Sequence, residues 1–336
     1  MARREAVLVT GGAGYVGAVL VPRLLARGYR VRVIDLFLFG EDVLPTGHPA
    51  LECVKGDIRD QALLTQAVKG AESVIHLACI SNDPSFELNP ALSRSINYDC
   101  FEPLVAISRE AGVRRFIYAS TSSVYGVSDV PEVTEEHPLV PLTDYNKYKG
   151  MCEPLLLKYQ SPGFTTVVIR PATVCGYSRR MRLDLTVNIL TNLAVNTRRI
   201  TIFGGSQKRP NIHIDDVADL YVELLALPAE QIAGKTFNAG YQNHTVAELG
   251  EIVRSVVSRE MPELAPIAIE TSPSNDLRSY HVSSEKIKRE LGWTPKRTIE
   301  DAVGDLCRAF RAGKLPNSLI DIRYFNVKTI QASGLV

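Results

Sequence analysis

Short apolar runs, largely β-branched, recur at residues 6–10, 31–36, 51–55, 73–77, 115–119 and 165–170. Five- or six-residue runs of this kind, bounded by turn residues, predict strands buried on both faces. Between them, residues 15–27, 61–68, 90–111 and 145–159 carry apolar side chains at helical spacing. Regular alternation of strand and helix implies an α/β fold: a doubly wound parallel sheet with helices on both faces.

After residue 170 the alternation loosens. Residues 179–185 are basic and irregular, 186–196 predict a helix, and 200–203 a short strand running into a turn at 204–208. Residues 245–259 and 283–291 predict further helices, with 262–273 as an irregular connector. No repeat, low-complexity tract or flexible linker interrupts the chain. The second half is therefore expected to form a smaller α/β substrate-binding lobe over the C-terminal edge of the sheet, where doubly wound folds bind ligands. The expected boundaries are 1–170 for the nucleotide domain, with return segments near 211–240, and 171–210 plus 241–336 for the lobe.

Composition narrows the classes. The 336 residues are 45% apolar and 22% charged, which supports a full-sized core. Lys plus Arg number 38 against 37 Asp plus Glu, a balance that argues against nucleic acid or an anionic membrane as the main partner. Anionic ligands must be met by local arginines. Cys53, Cys79, Cys100, Cys152, Cys175 and Cys307 are scattered without metal-ligand spacing, so reduced thiols and no metal are expected. The N-terminal residues run straight into a strand-like segment and no apolar run reaches membrane length, so the expectation is a cytoplasmic protein.

Candidate chemistry begins at Thr10-Gly-Gly-Ala-Gly-Tyr-Val-Gly17. Gly12, Gly14 and Gly17 satisfy G-x-G-x-x-G, and Gly11 adds a G-x-x-G-x-x-G reading. Placed between a strand and a helix, such glycines permit a tight turn and let backbone approach a pyrophosphate at the helix N-terminus, as in a Rossmann-type domain. Asp35 ends the second strand at the spacing of a ribose-binding carboxylate, which favours NAD over NADP. Asp57 and Ile58 follow the third strand and suit an adenine contact. His76 sits inside an apolar strand and reads as a satisfied structural histidine.

Tyr145 and Lys149 stand at i and i+4, side by side on one helical face. A lysine there lowers the phenol's pKa by charge proximity, and a phenol nearer neutrality can act as a general base. With a dinucleotide loop, this implies hydride chemistry on an alcohol. The segment from Ser120 to Gly126 follows the fifth strand and supplies hydroxyls that can bridge substrate and phenol.

These motifs together resemble the extended short-chain dehydrogenase/reductase family, specifically its NAD-dependent nucleotide-sugar epimerases and dehydratases, from about residue 7 to 309. The resemblance implies that Tyr145 removes a sugar hydroxyl proton, that Lys149 binds the nicotinamide ribose and tunes the tyrosine, and that Thr121 is the catalytic hydroxyl. It places Gly11, Gly14, Tyr15, Val16 and Gly17 against the cofactor, with Leu77, Ala78, Cys79, Asn97, Ser120 and Pro171 beside them. Dehydratases of the family carry an acid pair after the threonine, where this chain has Ser122 and Ser123. Serine offers no ionised base near neutral pH, so oxidation and reduction at one carbon, the chemistry of 4-epimerases, is favoured. A dehydrogenase or 4-ketoreductase releasing product after one hydride transfer, and a non-catalytic NAD-binding scaffold, are the other readings.

The resemblance also implies a nucleotide-diphosphate sugar as partner. Arg209 and Arg278 match its diphosphate-gripping arginines, and Asn188 matches an amide that meets the diphosphate. Ser81, in the atypical loop 81–86, together with Thr121, Ser122, Ser123 and Thr173, is expected to line the sugar pocket. Thr173 and Cys175 depart from the family's Asn and Tyr. The basic stretch 178–182 has no counterpart in the family pattern, and reads either as a phosphate contact or as a solvated loop. Family members dimerise through two helices, here 90–111 and 145–159, so a homodimer is expected.

Overall fold

A computed structural model describes residues 5–128, 130, 132–273, 279 and 281–335. The first half runs β1 (Ala6–Thr10), α1 (Gly17–Ala26), β2 (Arg30–Asp35), β3 (Leu51–Lys55), α2 (Gln61–Val68), β4 (Ser73–His76), α3 (Asp83–Phe86), α4 (Pro90–Arg94), α5 (Phe101–Glu110), β5 (Arg115–Ala119), α6 (Asp144–Leu157) and β6 (Thr165–Pro171). The second half continues with β7 (Thr173–Cys175), α7 (Thr186–Thr197), β8 (Arg199–Phe203), β9 (Lys208–His213), α8 (Ile214–Ala226), α9 (Ala229–Ile232), β10 (Lys235–Ala239), β11 (Gln242–Thr245), α10 (Val246–Glu260), β12 (Ala268–Ser272), α11 (Glu285–Leu291), α12 (Ile299–Arg311) and α13 (Asn326–Ala332).

Seven strands form one sheet in the order β10-β6-β5-β4-β1-β2-β3, every neighbouring pair parallel. The strand order reverses between β1 and β4, which opens a crevice at their C-terminal ends. Strand alternation divides the core. Val7, Val9, Val33 and Ile169 face α1 and α8, packing with Leu20, Leu24, Val217 and Leu220. Leu8, Ile34, Phe116 and Val168 face α2, α5 and α6, packing with Leu64, Leu104 and Leu156. Both faces are covered along β1, β4, β5 and β6, which is why those strands read as continuous apolar runs, whereas the edge strand β3, expected to be buried on both faces, is largely exposed.

A third core joins α7, α10 and α12 over β8 through Val187, Val253, Val257, Ile200 and Val303. The lobe is tied to the sheet by Asp216, whose carboxylate accepts from the backbone N–H of Lys296 and Arg297 and from the Arg297 guanidinium. His213 caps α8 by accepting from the Asp215 N–H. Although His213, Asp215 and Asp305 lie close enough to share an ion, Arg23, Arg297 and Arg308 already engage the two carboxylates.

Two expectations change. The helix expected over 90–111 is broken into α4, a π-turn at Ser95–Asp99 and α5. The break lets the Asn97 amide clip the backbone of Ile80, donating to its carbonyl at 2.9 Å and accepting from its N–H at 2.8 Å. The connector expected at 262–273 contains β12, which pairs with β8. Most of its side chains are exposed, so it carries no apolar alternation to read. Helices α8, α12 and α13 have no counterpart among the expected elements. No helix among the described residues is long and apolar enough to cross a membrane.

Candidate active site

The glycine loop lies in the crevice between β1 and α1. Gly11 has φ +70°, and a Cβ there would sit 2.6 Å from the Ala78 Cα, so only glycine lets the loop pass the end of β4. A Cβ on Gly17 would fall 2.4 Å from the Gly12 carbonyl oxygen. Helix α1 starts without a side-chain cap and without an acid in its first turn. Its leading N–H groups therefore suit an anion. Asp35, at the end of β2, accepts from Ala13 N–H at 3.0 Å and from Phe37 N–H at 2.8 Å. Burial raises its pKa, while those backbone donors oppose the shift. Asp57, beyond β3, forms an ion pair with Arg59 that outweighs burial and lowers its pKa.

The cleft runs from these carboxylates to α6. Gly11, Gly14, Tyr15, Val16 and Gly17 line it, with Asp57, Ile58, Leu77, Ala78 and Cys79. At the far end Ser81, Ser120, Pro171, Tyr145 and Lys149 complete the wall. Lys149 is 3% exposed; its ammonium donates to the Ala119 carbonyl at 2.7 Å and lies 5.0 Å from the Tyr118 ring centroid. Thr143 begins α6 as its N-cap, accepting from Asn146 N–H and donating to Asp83. That cap fixes the turn on which Tyr145 sits, one turn before Lys149.

Thr121 Oγ1 lies 2.8 Å from Ser123 Oγ, which in turn donates to the Asn146 side-chain carbonyl. Ser122 is buried behind this row. Behind Ser120, Glu153 accepts from its hydroxyl at 2.6 Å and pairs with Arg170. His76 bonds Thr10 at 2.7 Å, and burial, aided by nearby Lys149, pushes its pKa down to about 3. It is neutral and structural.

The structure separates the remaining expected residues. Asn97 does not line the cleft: its amide is committed to Ile80, and Ile96 faces the cleft in its place. Asn188 is fully buried, accepting from Gly176 N–H and donating to Tyr15 Oη and the Arg182 carbonyl. It braces the lobe against the glycine loop, with no donor left for a diphosphate. Arg209 is largely buried on β9, where its guanidinium donates to the Lys208 carbonyl at 3.0 Å, and Thr173 begins β7. Arg278 lies outside the described residues.

The basic stretch is not a solvated loop. Arg180 and Arg182 are buried and line the cleft. Arg182 grips Asp184 at 2.9 and 3.1 Å and donates to Ser81 Oγ at 3.1 Å. Burial works against its charge, yet Asp184, and then Tyr145, raise its pKa, so Arg182 lies within electrostatic reach of the phenol. Asn326, Ile330 and Leu335 from the chain's last helix and tail also line the cleft. Nothing in sequence spacing announces them.

The residues present fit a dinucleotide: a glycine loop without Cβ bulk, an uncapped helix start, a carboxylate at the end of β2, and a buried Arg180 Nε with no acceptor among the described residues. Comparison with known proteins agrees. The sequence model of the NAD dependent epimerase/dehydratase family matches residues 7–240. A UDP-glucose 4-epimerase of Corynebacterium glutamicum is 31% identical over 320 residues, covering 88% of this chain and 94% of the relative. UDP-glucuronic acid decarboxylase 1 of Arabidopsis thaliana is 28% identical, over 92% and 70%. Among solved structures, MoeE5 in complex with UDP-glucuronic acid and NAD is 25% identical with a TM-score of 0.79, covering 92% of this chain and all of that one. The chain belongs to the NAD-dependent epimerase/dehydratase family, within the extended short-chain dehydrogenases/reductases, and its cofactor is NAD.

Proposed function

We propose that the protein is a nucleotide-sugar 4-epimerase that oxidises a sugar transiently at C4 and reduces it again on the other face. Tyr145 takes the C4 hydroxyl proton and later returns it to the carbonyl oxygen. Lys149, held by the Ala119 carbonyl, favours the ionised phenol by its charge. Thr121, fixed by Ser123, presents a hydroxyl to the same oxygen. Bound NAD supplies the hydride acceptor and donor. Arg209 and Arg278 are proposed to meet the substrate diphosphate, and Thr173, Ser81 and Ser123 to bound the sugar, whereas Ser122, expected there from sequence, is buried behind them.

One observation carries the reading. Residues 120–126, after β5, carry hydroxyls and no carboxylate where an acid–base pair would stand, and the carboxylates lining the cofactor end of the cleft, Asp35 at the end of β2 and Asp57 beyond β3, lie on the opposite side of the strand-order reversal from Tyr145. Elimination of water next to the oxidised carbon needs an acid–base pair beside the sugar, and Ser122 and Ser123 follow Thr121 instead. Reversible oxidation at C4 needs only the phenol, the lysine and the threonine. The likeness to a UDP-glucose 4-epimerase supports the same reaction.

The test is incubation of purified protein with UDP-glucose, UDP-glucuronic acid and their N-acetylated counterparts, followed by separation of the sugars. A C4 epimer without net NADH is expected. Stoichiometric NADH, or a free keto sugar without an epimer, would show instead a dehydrogenase that releases its product after one transfer.

A further inference from the structure

We infer that Arg180 closes on the diphosphate of the bound NAD beside the glycine loop, and that the C-terminal helix α13 holds it there. The segment carrying Arg180 is stapled onto that loop. Ser178 Oγ donates to the Tyr15 carbonyl at 2.9 Å, and Tyr15 Oη donates to the Gly176 carbonyl at 2.6 Å. Arg180 thus lines the cleft together with Gly11, Gly14 and Asp35.

Arg180 is 3% exposed, and its guanidinium carbon lies 3.5 Å from the centroid of the Phe39 ring. One Nη donates to the Met181 carbonyl at 3.3 Å and the other to the Asn326 side-chain oxygen. Both are neutral acceptors. The buried Nε has no acceptor among the described residues. Burial, reinforced by the neighbouring Arg182, pulls the pKa of Arg180 down to about 9. A buried cation without a bonded anion is unstable, and the guanidinium fork matches paired phosphate oxygens. Arg182, two residues on, shows the contrast: Asp184 already satisfies it.

The neighbours choose which diphosphate. Arg180 feels Asp184, then Asp35 and Tyr15, and stacks on Phe39; Asp184 is already paired with Arg182, and the other three lie on the β1–β2 side of the cleft, where the glycine loop delivers its N–H groups. The proposed substrate arginine, Arg209, stands on β9 in another sheet. Asn326 secures the arrangement. It opens α13, donates to Ser81 Oγ at 2.8 Å, and its N–H reaches Asp184 at 3.3 Å, while Ile330 and Leu335 continue the wall. An enzyme that returns hydride to the same sugar must keep its cofactor between half-reactions. The inference itself rests on NAD alone, so it can fail while the epimerase reading stands.

The test compares wild type with Arg180→Gln and Asn326→Asp, the second placing a carboxylate beside the guanidinium to compete with phosphate. Equilibrium binding and dissociation rates are measured for NADH and ADP-ribose, which contain the diphosphate, for adenosine, which lacks it, and for UDP. In both variants NADH and ADP-ribose should bind about 10- to 100-fold more weakly and leave correspondingly faster, with adenosine and UDP within about twofold of wild type. Unchanged NADH binding, equal losses for adenosine and NADH, or a loss confined to UDP would each overturn the inference. Should Arg180→Gln fail to fold, Asn326→Asp, which keeps the cation and adds its partner, decides.

Discussion

Glu153 and Arg170 offer the sharpest energetic test of how the site is held. Glu153 sits one turn beyond Lys149 on α6 and accepts from Arg170 at 3.0 and 2.5 Å, the two side chains being 4% and 7% exposed. It also accepts from Ser120 at the end of β5. Arg170 continues to the Tyr125 hydroxyl at 2.6 Å, which donates to Asn238 on β10 at 2.8 Å. One carboxylate therefore ties α6 to three adjacent strands and to the segment carrying Thr121. Glu153→Ala leaves a guanidinium buried without its anion, a loss of about 3–5 kcal/mol. Paired replacement by apolar residues of similar volume, Glu153→Leu with Arg170→Met, removes both charges and should recover most of that loss. Equilibrium urea unfolding of Glu153→Ala, of Glu153→Leu and Arg170→Met singly, and of the double variant measures the loss and the coupling. The reasoning fails if Glu153→Ala loses less than about 1 kcal/mol, or if the single losses simply add in the double variant.

Replacing Tyr145 with Phe should lower turnover by at least about 100-fold, the usual scale for a positioned acid–base group, with NADH affinity little changed; parallel loss of both would make Tyr145 structural. His76 is held neutral by burial with a pKa near 3, so the unfolded chain binds the extra proton between about pH 6.5 and 3, and stability falls as pH drops through that window. Unfolding measured from pH 7 to 4 should show wild type losing up to about 1.4 kcal/mol per pH unit more than His76→Gln, and identical slopes would refute the assignment. Light scattering at micromolar concentration should show a dimer, with α5 and α6 as the expected interface, and a stable monomer would contradict it.

The nucleotide half was legible because each of its signals is local. Strand, glycine turn and helix occur within residues 6–26, and Tyr145 with Lys149 within one helical turn, so spacing alone carried both. Residues 90–111 misled because a π-turn adds no compositional mark to an otherwise helical run; only the amide bond from Asn97 to Ile80 reveals why the helix breaks. Asn188 misled differently. Its position matched a ligand contact, but Tyr15, a large side chain inside the glycine loop, claims that amide in this chain.

The least legible part of the cleft is the part that closes it. Arg180, Phe39 and Asn326 come from segments separated by more than a hundred residues, and no periodicity links them. Charge gave a partial signal: three arginines in a stretch leaving the sheet had to be either solvated or paired, and the near-neutral chain gave no reason for a local surplus. Burial turns that choice into chemistry. Arg182 is paired by Asp184, which uses up its charge; Arg180 stands among neutral acceptors, which leaves its charge for a ligand. A buried arginine beside a dinucleotide loop, held by a helix from the far end of the chain, makes cofactor retention a property of the whole fold. It follows that truncation before residue 326 should speed NADH release, since Asn326 at the start of α13 is the side chain that accepts from the Arg180 guanidinium.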